Sequence, residues 1–171
     1  MVTPVAVDIN PPPPQCENAM FTATLAQGSG GTWSISSGTI DVSGNIDLTG
    51  VGTGNITVTY TAMSDGCMGS DMETFMVNPA SLAGTIDPID EQCSIGTYPA
   101  TTTGDPGGMW SIDNGGMIDS NSGIIDLVGS GLGFFTVTYT SAPPCQSMAV
   151  ESFTIIAQPS ADITPIPDQC A

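Results

Sequence analysis

Residues 30–61 read GGTWSISSGTIDVSGNIDLTGVGTGNITVTYT, and residues 107–140 read GGMWSIDNGGMIDSNSGIIDLVGSGLGFFTVTYT. Each stretch carries one tryptophan and ends on TVTYT, in which valine and tyrosine alternate with threonine at period two. Such alternation is typical of a half-buried β-strand. The two stretches therefore predict the same strand-rich unit twice.

The repeat extends over the whole chain of 171 residues. Cys16, Cys93 and Cys170 are spaced 77 and 77 residues apart, and Trp33 and Trp110 are also 77 apart. Because residues 1–4 match residues 76–79, and residues 163–170 match residues 86–93, we expect a window cut from a longer array. The expected divisions are the end of a preceding repeat (1–4), repeat 1 (5–79), repeat 2 (80–159) and the start of a third repeat (160–171).

Each repeat reads as short strands separated by turn residues, and no segment shows helical periodicity. Each repeat of some 77 residues contains about seven short predicted strands. This predicts an all-β fold of small β-sandwich domains joined in tandem. Ser43-Gly44 and Ser122-Gly123 suit tight turns, because glycine accepts a positive φ. In repeat 1 the predicted strands are Val5–Ile9, Ala19–Leu25, Thr32–Ser36, Thr39–Val42, Asn45–Leu48, Thr57–Thr61 and Glu73–Val77.

The charge of the chain excludes several functions. There is no lysine, arginine or histidine against 17 acidic residues, so the formal net charge is -17. No side chain can therefore neutralise the phosphates of a nucleic acid. A histidine triad, a histidine metal site and a lysine Schiff base are also excluded. No apolar run approaches the roughly 18 residues of a membrane span. We expect no nucleic-acid partner and no membrane insertion.

Five cysteines without histidine favour disulfides in an oxidising compartment over a zinc site. Cys16 with Cys67 and Cys93 with Cys145 would close loops inside each repeat, leaving Cys170 for the next one. Alternatively, Cys67 with Cys93 and Cys145 with Cys170 would staple neighbouring repeats. Spacing alone does not fix the connectivity. We favour the pairing inside each repeat, because it lets each domain fold alone.

The order of these features is that of a known family. A cysteine, Gly-Thr-Trp-Ser, a glycine-rich stretch, Thr-Val-Thr-Tyr-Thr, a second cysteine and a closing apolar strand resemble the tandem immunoglobulin-like or PKD-like repeats of large secreted surface proteins of the Bacteroidota. In that family such repeats form extracellular arrays, including adhesins linked to gliding motility. The resemblance implies immunoglobulin-like sandwiches on the secreted, extracellular cell surface. The second cysteine follows Tyr60 or Tyr139 by seven or six residues, where an antibody domain has two, so the antibody disulfide is not assumed.

Carboxylates supply the candidate metal ligands. Asp87, Asp90 and Glu91 cluster before Cys93 at the junction between repeats, and calcium prefers such oxygen ligands. A second candidate is formed by the pairs Asp41 with Asp47 and Asp119 with Asp126 beside the Ser-Gly turns. The bland alternatives are a solvated linker and aspartates that bond the turn backbone. Ca²⁺ is the one cofactor weighed, and no other is expected.

The two tryptophans have two interpretations. Trp33 and Trp110 fall on the same predicted strand of each repeat, where a core role is expected and a sugar-stacking platform is the alternative. Acids spread evenly over both repeats are typical of a surface and not of an active site, so no enzyme activity is expected.

We therefore predict a structural segment of an extracellular filament or adhesin stalk, with further repeats or identical subunits as partners. The alternative is a carbohydrate- or protein-binding module.

Overall fold

A computed structural model describes residues 5–160 of the chain. The chain divides between Ser81 and Leu82 into two compact units, called unit 1 and unit 2 below. The expected ends of neighbouring repeats at residues 1–4 and 161–171, with Cys170, lie outside the described residues. No helix in the described part of the chain is long and apolar enough to cross a membrane.

Unit 1 is a sandwich of β-sheets around one apolar core. A four-stranded sheet has the order β2-β9-β8-β5, a three-stranded sheet the order β3-β7-β6, and β1 pairs with β4. Inward side chains of these sheets, such as Ile46, Val58 and Phe75, meet in one cluster. The strands are β1 (Asp8–Ile9), β2 (Gln15–Cys16), β3 (Met20–Thr22), β4 (Leu25–Gln27), β5 (Thr32–Ile35), β6 (Thr39–Ile40), β7 (Asn45–Asp47), β8 (Gly54–Ser64) and β9 (Cys67–Asn78).

Unit 2 repeats this arrangement. Its four-stranded sheet has the order β10-β16-β15-β12 and its three-stranded sheet the order β11-β14-β13. Ile125, Val137 and Phe153 occupy the core positions that correspond to those of unit 1. Its elements are β10 (Gln92–Cys93), β11 (Thr97–Pro99), β12 (Met109–Ile112), β13 (Met117–Ile118), β14 (Ile124–Asp126), α1 (Leu127–Ser130), β15 (Gly133–Thr140) and β16 (Met148–Ile156).

The all-β prediction is confirmed, but the observed elements differ from those predicted. The predicted strand Ala19–Leu25 is two strands, because β3 pairs with β7 while β4 pairs with β1 in another sheet. The short helix α1 was not expected. Its first turn is stabilised by Asp126, whose side chain accepts hydrogen bonds from the amides of Val128 and Gly129.

The closing hairpin of unit 1 is longer than predicted. Strands β8 and β9 pair without interruption from Gly54↔Val77 to Ser64↔Cys67. Asp65 and Gly66 form the turn, both with positive φ (51° and 80°), which matches the right-handed twist of the strands. An Asp-Gly pair between alternating segments is the sequence signal that predicts this hairpin.

The Ser-Gly turns are confirmed, and they require glycine. Gly44 has φ 84° and Gly123 has φ 73°. A Cβ on Gly44 would lie 2.6 Å from the carbonyl oxygen of Ala23, and one on Gly123 would lie 2.8 Å from the Trp110 ring. Each turn therefore closes against its unit's tryptophan.

Candidate functional site

The first and last strands of each four-stranded sheet pair in parallel. In unit 1, Gln15 pairs with Val77 and Cys16 pairs with Asn78. In unit 2, Gln92 pairs with Ile155 and Cys93 pairs with Ile156. Every other strand pair described is antiparallel. This terminal strand pair is a feature that sequence reasoning missed, since a two-residue strand has no periodicity to detect.

Backbone hydrogen bonds extend both terminal strand pairs by one residue. The amide of Glu17 donates to the carbonyl of Asn78 (3.0 Å). At the corresponding position of unit 2, the amide of Ser94 donates to the carbonyl of Ile156 (2.9 Å). In unit 1 the Asn78 side-chain amide also donates to the carbonyl of Gln15 (3.3 Å). Strands β2 and β10 are thus each fastened along the last strand of their unit.

The structure does not form the disulfides favoured from sequence. Cys16 and Cys145 are disulfide-bonded, whereas Cys67 and Cys93 are free thiols. This contradicts the pairs Cys16–Cys67 and Cys93–Cys145, and it also excludes the alternative pair Cys67–Cys93. Cys170 lies outside the described residues.

Strand length explains why cysteines of one repeat do not pair. Cys16 lies beside Asn78 at the end of β9, while Cys67 begins that strand. Eleven steps of about 3.3 Å separate the two ends by about 36 Å. A disulfide needs Cα atoms about 4.4–6.8 Å apart. In unit 2, Cys93 pairs with Ile156 at the end of β16, and Cys145 precedes its start.

The predicted calcium ligands Asp87, Asp90 and Glu91 are not brought together. Within residues 5–160, no group of three or more Asp, Glu, Cys or His side chains lies close enough to hold a metal ion. The Asp87 carboxylate accepts a hydrogen bond from the Thr101 hydroxyl. The Asp87 carboxylate therefore contacts the connection that follows Pro99, and it does not face a group of metal-binding side chains.

The aspartates beside the Ser-Gly turns bond the turn backbone. Asp41 accepts from the amides of Ser43 (2.8 Å) and Asn45 (2.9 Å), and its second oxygen accepts from the Asn45 side chain (2.8 Å). Asp119 accepts from the amides of Asn121 (3.1 Å) and Ser122 (2.7 Å) and from the Ser122 hydroxyl (2.8 Å). The hydrogen bonds from Asn45 lower the pKa of Asp41, and those from Ser122 lower the pKa of Asp119.

The other member of each predicted pair holds the loop that follows the three-stranded sheet. Asp47 accepts from the amide of Thr49 (2.8 Å), and hydrogen bonding from Thr49 lowers the pKa of Asp47. Asp126 accepts from the amides of Val128 (3.0 Å) and Gly129 (2.9 Å). These four carboxylates stabilise local structure, as the alternative to the calcium interpretation expects.

The tryptophans belong to the cores. Trp110 is only 7% exposed, and Trp33 is half-buried and packs against the core of unit 1. Each ring contacts the tyrosine opposite it across the sheet, with centroids 4.7 Å apart for Trp33–Tyr60 and 4.8 Å for Trp110–Tyr139. The core role expected for both tryptophans is confirmed, and burial leaves Trp110 little surface on which a sugar could stack.

A concavity lies over the three-stranded sheet of unit 1. It encloses about 530 Å³ and is lined by Met20, Thr22, Thr39, Asp41, Asn45 and Asp47, among others. Its polar groups already bond one another: the Thr22 hydroxyl donates to the Asn45 side chain (2.7 Å), which donates to Asp41. Unit 2 has Ile124 where unit 1 has Asn45, so the polar lining is not duplicated.

No family model and no curated protein matches the sequence. Among solved structures, the chain is similar to Drosophila OTK extracellular domains 3–5 (14% identity, TM-score 0.49, 90% of this chain, 62% of that one). It is also similar to Drosophila N-cadherin EC1-4 (13%, TM-score 0.37, 90% and 50%). A third is a SusE-like surface-located polysaccharide-binding protein from the Bacteroides thetaiotaomicron heparin utilisation locus (14%, TM-score 0.36, 89% and 34%). The chain thus spans between a third and two-thirds of those structures.

Proposed function

We propose that the chain is a structural segment of an extracellular filament or adhesin stalk, in which immunoglobulin-like units joined in tandem resist tension. The observation that carries this proposal is the parallel pairing of the first and last strands in each four-stranded sheet. Tension enters a unit through its N-terminal side and leaves through its C-terminal side. After passing β1 in unit 1, or the bridge between Ile86 and Thr102 in unit 2, it acts on these two strands.

The direction of that tension decides how the bonds break. Because β2 and β9 run in parallel, pulling β2 from its N-terminal end and β9 from its C-terminal end slides one strand along the other. The bonds of Gln15, Cys16 and Glu17 to the end of β9 are then loaded together. An antiparallel pair at the same place would open one bond after another at lower force. Unit 2 repeats this arrangement with β10 and β16.

Three further features support an extracellular structural role. Disulfide-bonded Cys16 and Cys145 favour an oxidising compartment. The carboxylates beside the turns are engaged in backbone hydrogen bonds, so they serve the fold. The absence of lysine and arginine leaves proteases of trypsin-like specificity without a cleavage site.

Single-molecule force spectroscopy tests the proposal. The full chain is held by its two ends in reducing buffer, so that no disulfide shields a segment from the force. We expect two separate unfolding events, each releasing about 200 Å because a chain extends by about 3.3–3.6 Å per residue. Extension without resolved force peaks would contradict a tension-resisting role.

A carbohydrate- or protein-binding module is the second candidate, and the concavity over the three-stranded sheet of unit 1 favours it. If it binds a glycan, Asn45→Ile should abolish binding on a glycan array, because this change gives unit 1 the residue that unit 2 has at that position. Ile124→Asn is the matched control in unit 2. If the unchanged chain binds no glycan on the array, this second candidate is rejected and only the structural role remains.

A further inference from the structure

One surface of each unit is free of charge in a chain that carries 17 carboxylates and no cation. In unit 1 this surface is the outer side of strands β8 and β9, which we call the neutral face. The strands alternate strictly, so every second residue belongs to it. Its residues are Asn55, Thr57, Thr59, Thr61 and Met63 on β8 and Met68, Ser70, Met72, Thr74 and Met76 on β9.

Unit 2 has the same neutral face on the outer side of β15 and β16. The threonines on β15 keep their positions, while methionine, valine and phenylalanine take others. None of these residues is charged either. They are Phe134, Thr136, Thr138 and Thr140 on β15 and Met148, Val150, Ser152, Thr154 and Ile156 on β16.

The acids of these strands all point to the opposite side. Asp71 and Glu73 share the alternation of buried Phe75, and Glu151 shares that of buried Phe153. The Asp71 carboxylate accepts a hydrogen bond from the amide of Ile9 in β1 (2.8 Å). Half-burying a carboxylate is less favourable than leaving it in water. Its placement inward therefore keeps charge off the neutral face at a cost in stability.

The neutral faces are also rich in exposed apolar side chains. Met72 is 66% exposed, Met148 is 71% exposed and Val150 is 63% exposed. Methionine is flexible and polarizable, so it adapts to an irregular partner surface. Threonine pairs such as Thr57 and Thr74, whose hydroxyls lie 3.0 Å apart, hydrogen-bond each other. Removing water from these surfaces on contact with a partner therefore costs little free energy.

We propose that the neutral faces are lateral contact surfaces for a second copy of this chain. Two copies repel each other wherever carboxylates meet, and neither copy has a cation to offset that repulsion. A basic partner would be drawn to the acidic surfaces instead. A surface without charge is therefore complementary to its own copy. The inference rests on the proposed structural role, in which neighbouring chains lie side by side.

The size of one face predicts weak contact. Strand β9 has 12 residues, and with β8 it spans about 40 Å by about 10 Å, or about 400 Å², from ordinary strand dimensions. A stable interface takes about 800 Å² from each partner. Each unit alone falls short of this. Association should therefore strengthen as more units engage.

Sedimentation equilibrium of the full chain tests this inference at loading concentrations from about 10 µM to about 1 mM, where weak interfaces associate. We expect self-association to increase between 0.1 M and 1 M NaCl, because the screening length falls from about 10 Å to about 3 Å. Chelation of divalent cations should change nothing. A chain that stays monomeric throughout, or one that associates only with a divalent cation, would overturn the inference.

Charge variants locate the contact. Met72→Glu with Val150→Glu places one carboxylate on each neutral face, and we expect about tenfold weaker association, because like charges meet at the contact. Val42→Glu with Val128→Glu is the matched control. It adds the same charge at positions that are 92% and 61% exposed outside the faces, and should weaken association less than twofold. Equal weakening by both variants would refute the proposal that the neutral faces form the contact between copies.

A second pair of substitutions protects the result against misfolding. Thr59 faces Met72 and Thr138 faces Val150 across the strands, so Thr59→Glu with Thr138→Glu should reproduce the loss. Circular dichroism must show all variants folded. Because force spectroscopy uses isolated molecules, its failure would reject tension resistance and leave lateral association standing. If the chain resists tension but does not self-associate, only the proposed role of the neutral faces is rejected.

Discussion

Units 1 and 2 share their scaffold and differ at the ends of their strands. Both place a tryptophan opposite a tyrosine, a glycine turn against the tryptophan, and a parallel terminal strand pair at one edge. In unit 1 the last two strands run on as a hairpin to Asp65 and Gly66. In unit 2 they end earlier, and residues 141–147 connect them. The constant part is therefore the part that closes the core and fastens the two ends of a unit.

A second difference lies after the three-stranded sheet. Asp47 and Asp126 occupy corresponding positions, and each accepts hydrogen bonds from the loop that follows. In unit 1 the loop is irregular, and in unit 2 it is the helix α1. The same carboxylate thus starts two local structures, which shows that its role is to fix the loop entry.

The largest expected effect comes from removing the tryptophans. Trp110→Ala should lower the free energy of unfolding by about 3–5 kcal/mol, as for other large buried side chains. Trp33→Ala should cost less, because Trp33 is only half-buried. Calorimetry of both variants, with the phenylalanine substitutions as milder controls, measures the difference. Equal costs would show that the two cores depend on their tryptophans to the same extent.

The tyrosines should show a smaller difference in the same direction. The Tyr139 hydroxyl accepts from the amide of Gly108 (2.9 Å) and donates to the carbonyl of Asp105 (2.6 Å). Among the described residues, the Tyr60 hydroxyl makes one bond, accepting from the amide of Gly31 (2.6 Å). Each buried group left without a partner costs about 1–3 kcal/mol.

We therefore expect Tyr139→Phe to destabilise the chain by about 1 kcal/mol more than Tyr60→Phe, since one more backbone group loses its partner. Urea unfolding followed by circular dichroism measures both values. If Tyr60→Phe costs as much as Tyr139→Phe, the second bond contributes nothing.

Acid should affect unit 1 more than unit 2. Hydrogen bonds lower the pKa of Asp41 and Asp47 in unit 1 and of Asp119 in unit 2 below the ordinary 3.8. A carboxyl with a lowered pKa in the folded state stabilises the fold above its unfolded pKa, and this contribution is lost as pH falls through the folded pKa. The melting temperature should therefore fall as the pH is lowered below about 4.

Asparagine variants separate the two units. Asp41→Asn with Asp47→Asn keeps an acceptor in each turn but removes its titration, so the acid-induced fall in melting temperature should shrink. Asp119→Asn should shrink it less, because it removes one such group instead of two. Calorimetry at pH 6 and at pH 2.5 measures both. An unchanged fall in the double variant would mean that other carboxyls dominate acid unfolding.

The sequence predicts the core of this molecule better than its edges. Alternation in TVTYT predicts the strands that carry Tyr60 and Tyr139, and the repeat of 77 residues places Trp33 and Trp110 alike, because both signals come from burial on one face. The two-residue strands at Gln15 and Gln92 lack such a signal. They pair through backbone bonds with a strand that is distant in the sequence.

The cysteines show the same limit. Pairing inside a repeat would let each domain fold alone, but Cys16 and Cys67 are kept apart by the length of β9, which the sequence reveals only through the Asp-Gly turn at its start. The carboxylates weighed for calcium are close in sequence but engage other partners: Asp41 and Asp119 accept from nearby backbone amides, and Asp87 accepts from the Thr101 hydroxyl.

The most direct test of the account compares two proline substitutions in the force experiment. Glu17→Pro removes the amide that bonds Asn78 in the terminal strand pair, and Ser36→Pro removes the amide that bonds Thr57 beside β5 (2.9 Å). Each loses one backbone bond of unit 1 and one side-chain acceptor, since the amide of Ala80 donates to Glu17 and that of Thr57 donates to Ser36. The account predicts that Glu17→Pro lowers the unfolding force of one of the two events while Ser36→Pro leaves both unchanged. Equal forces in the two variants would contradict the claim that the terminal strands resist the tension.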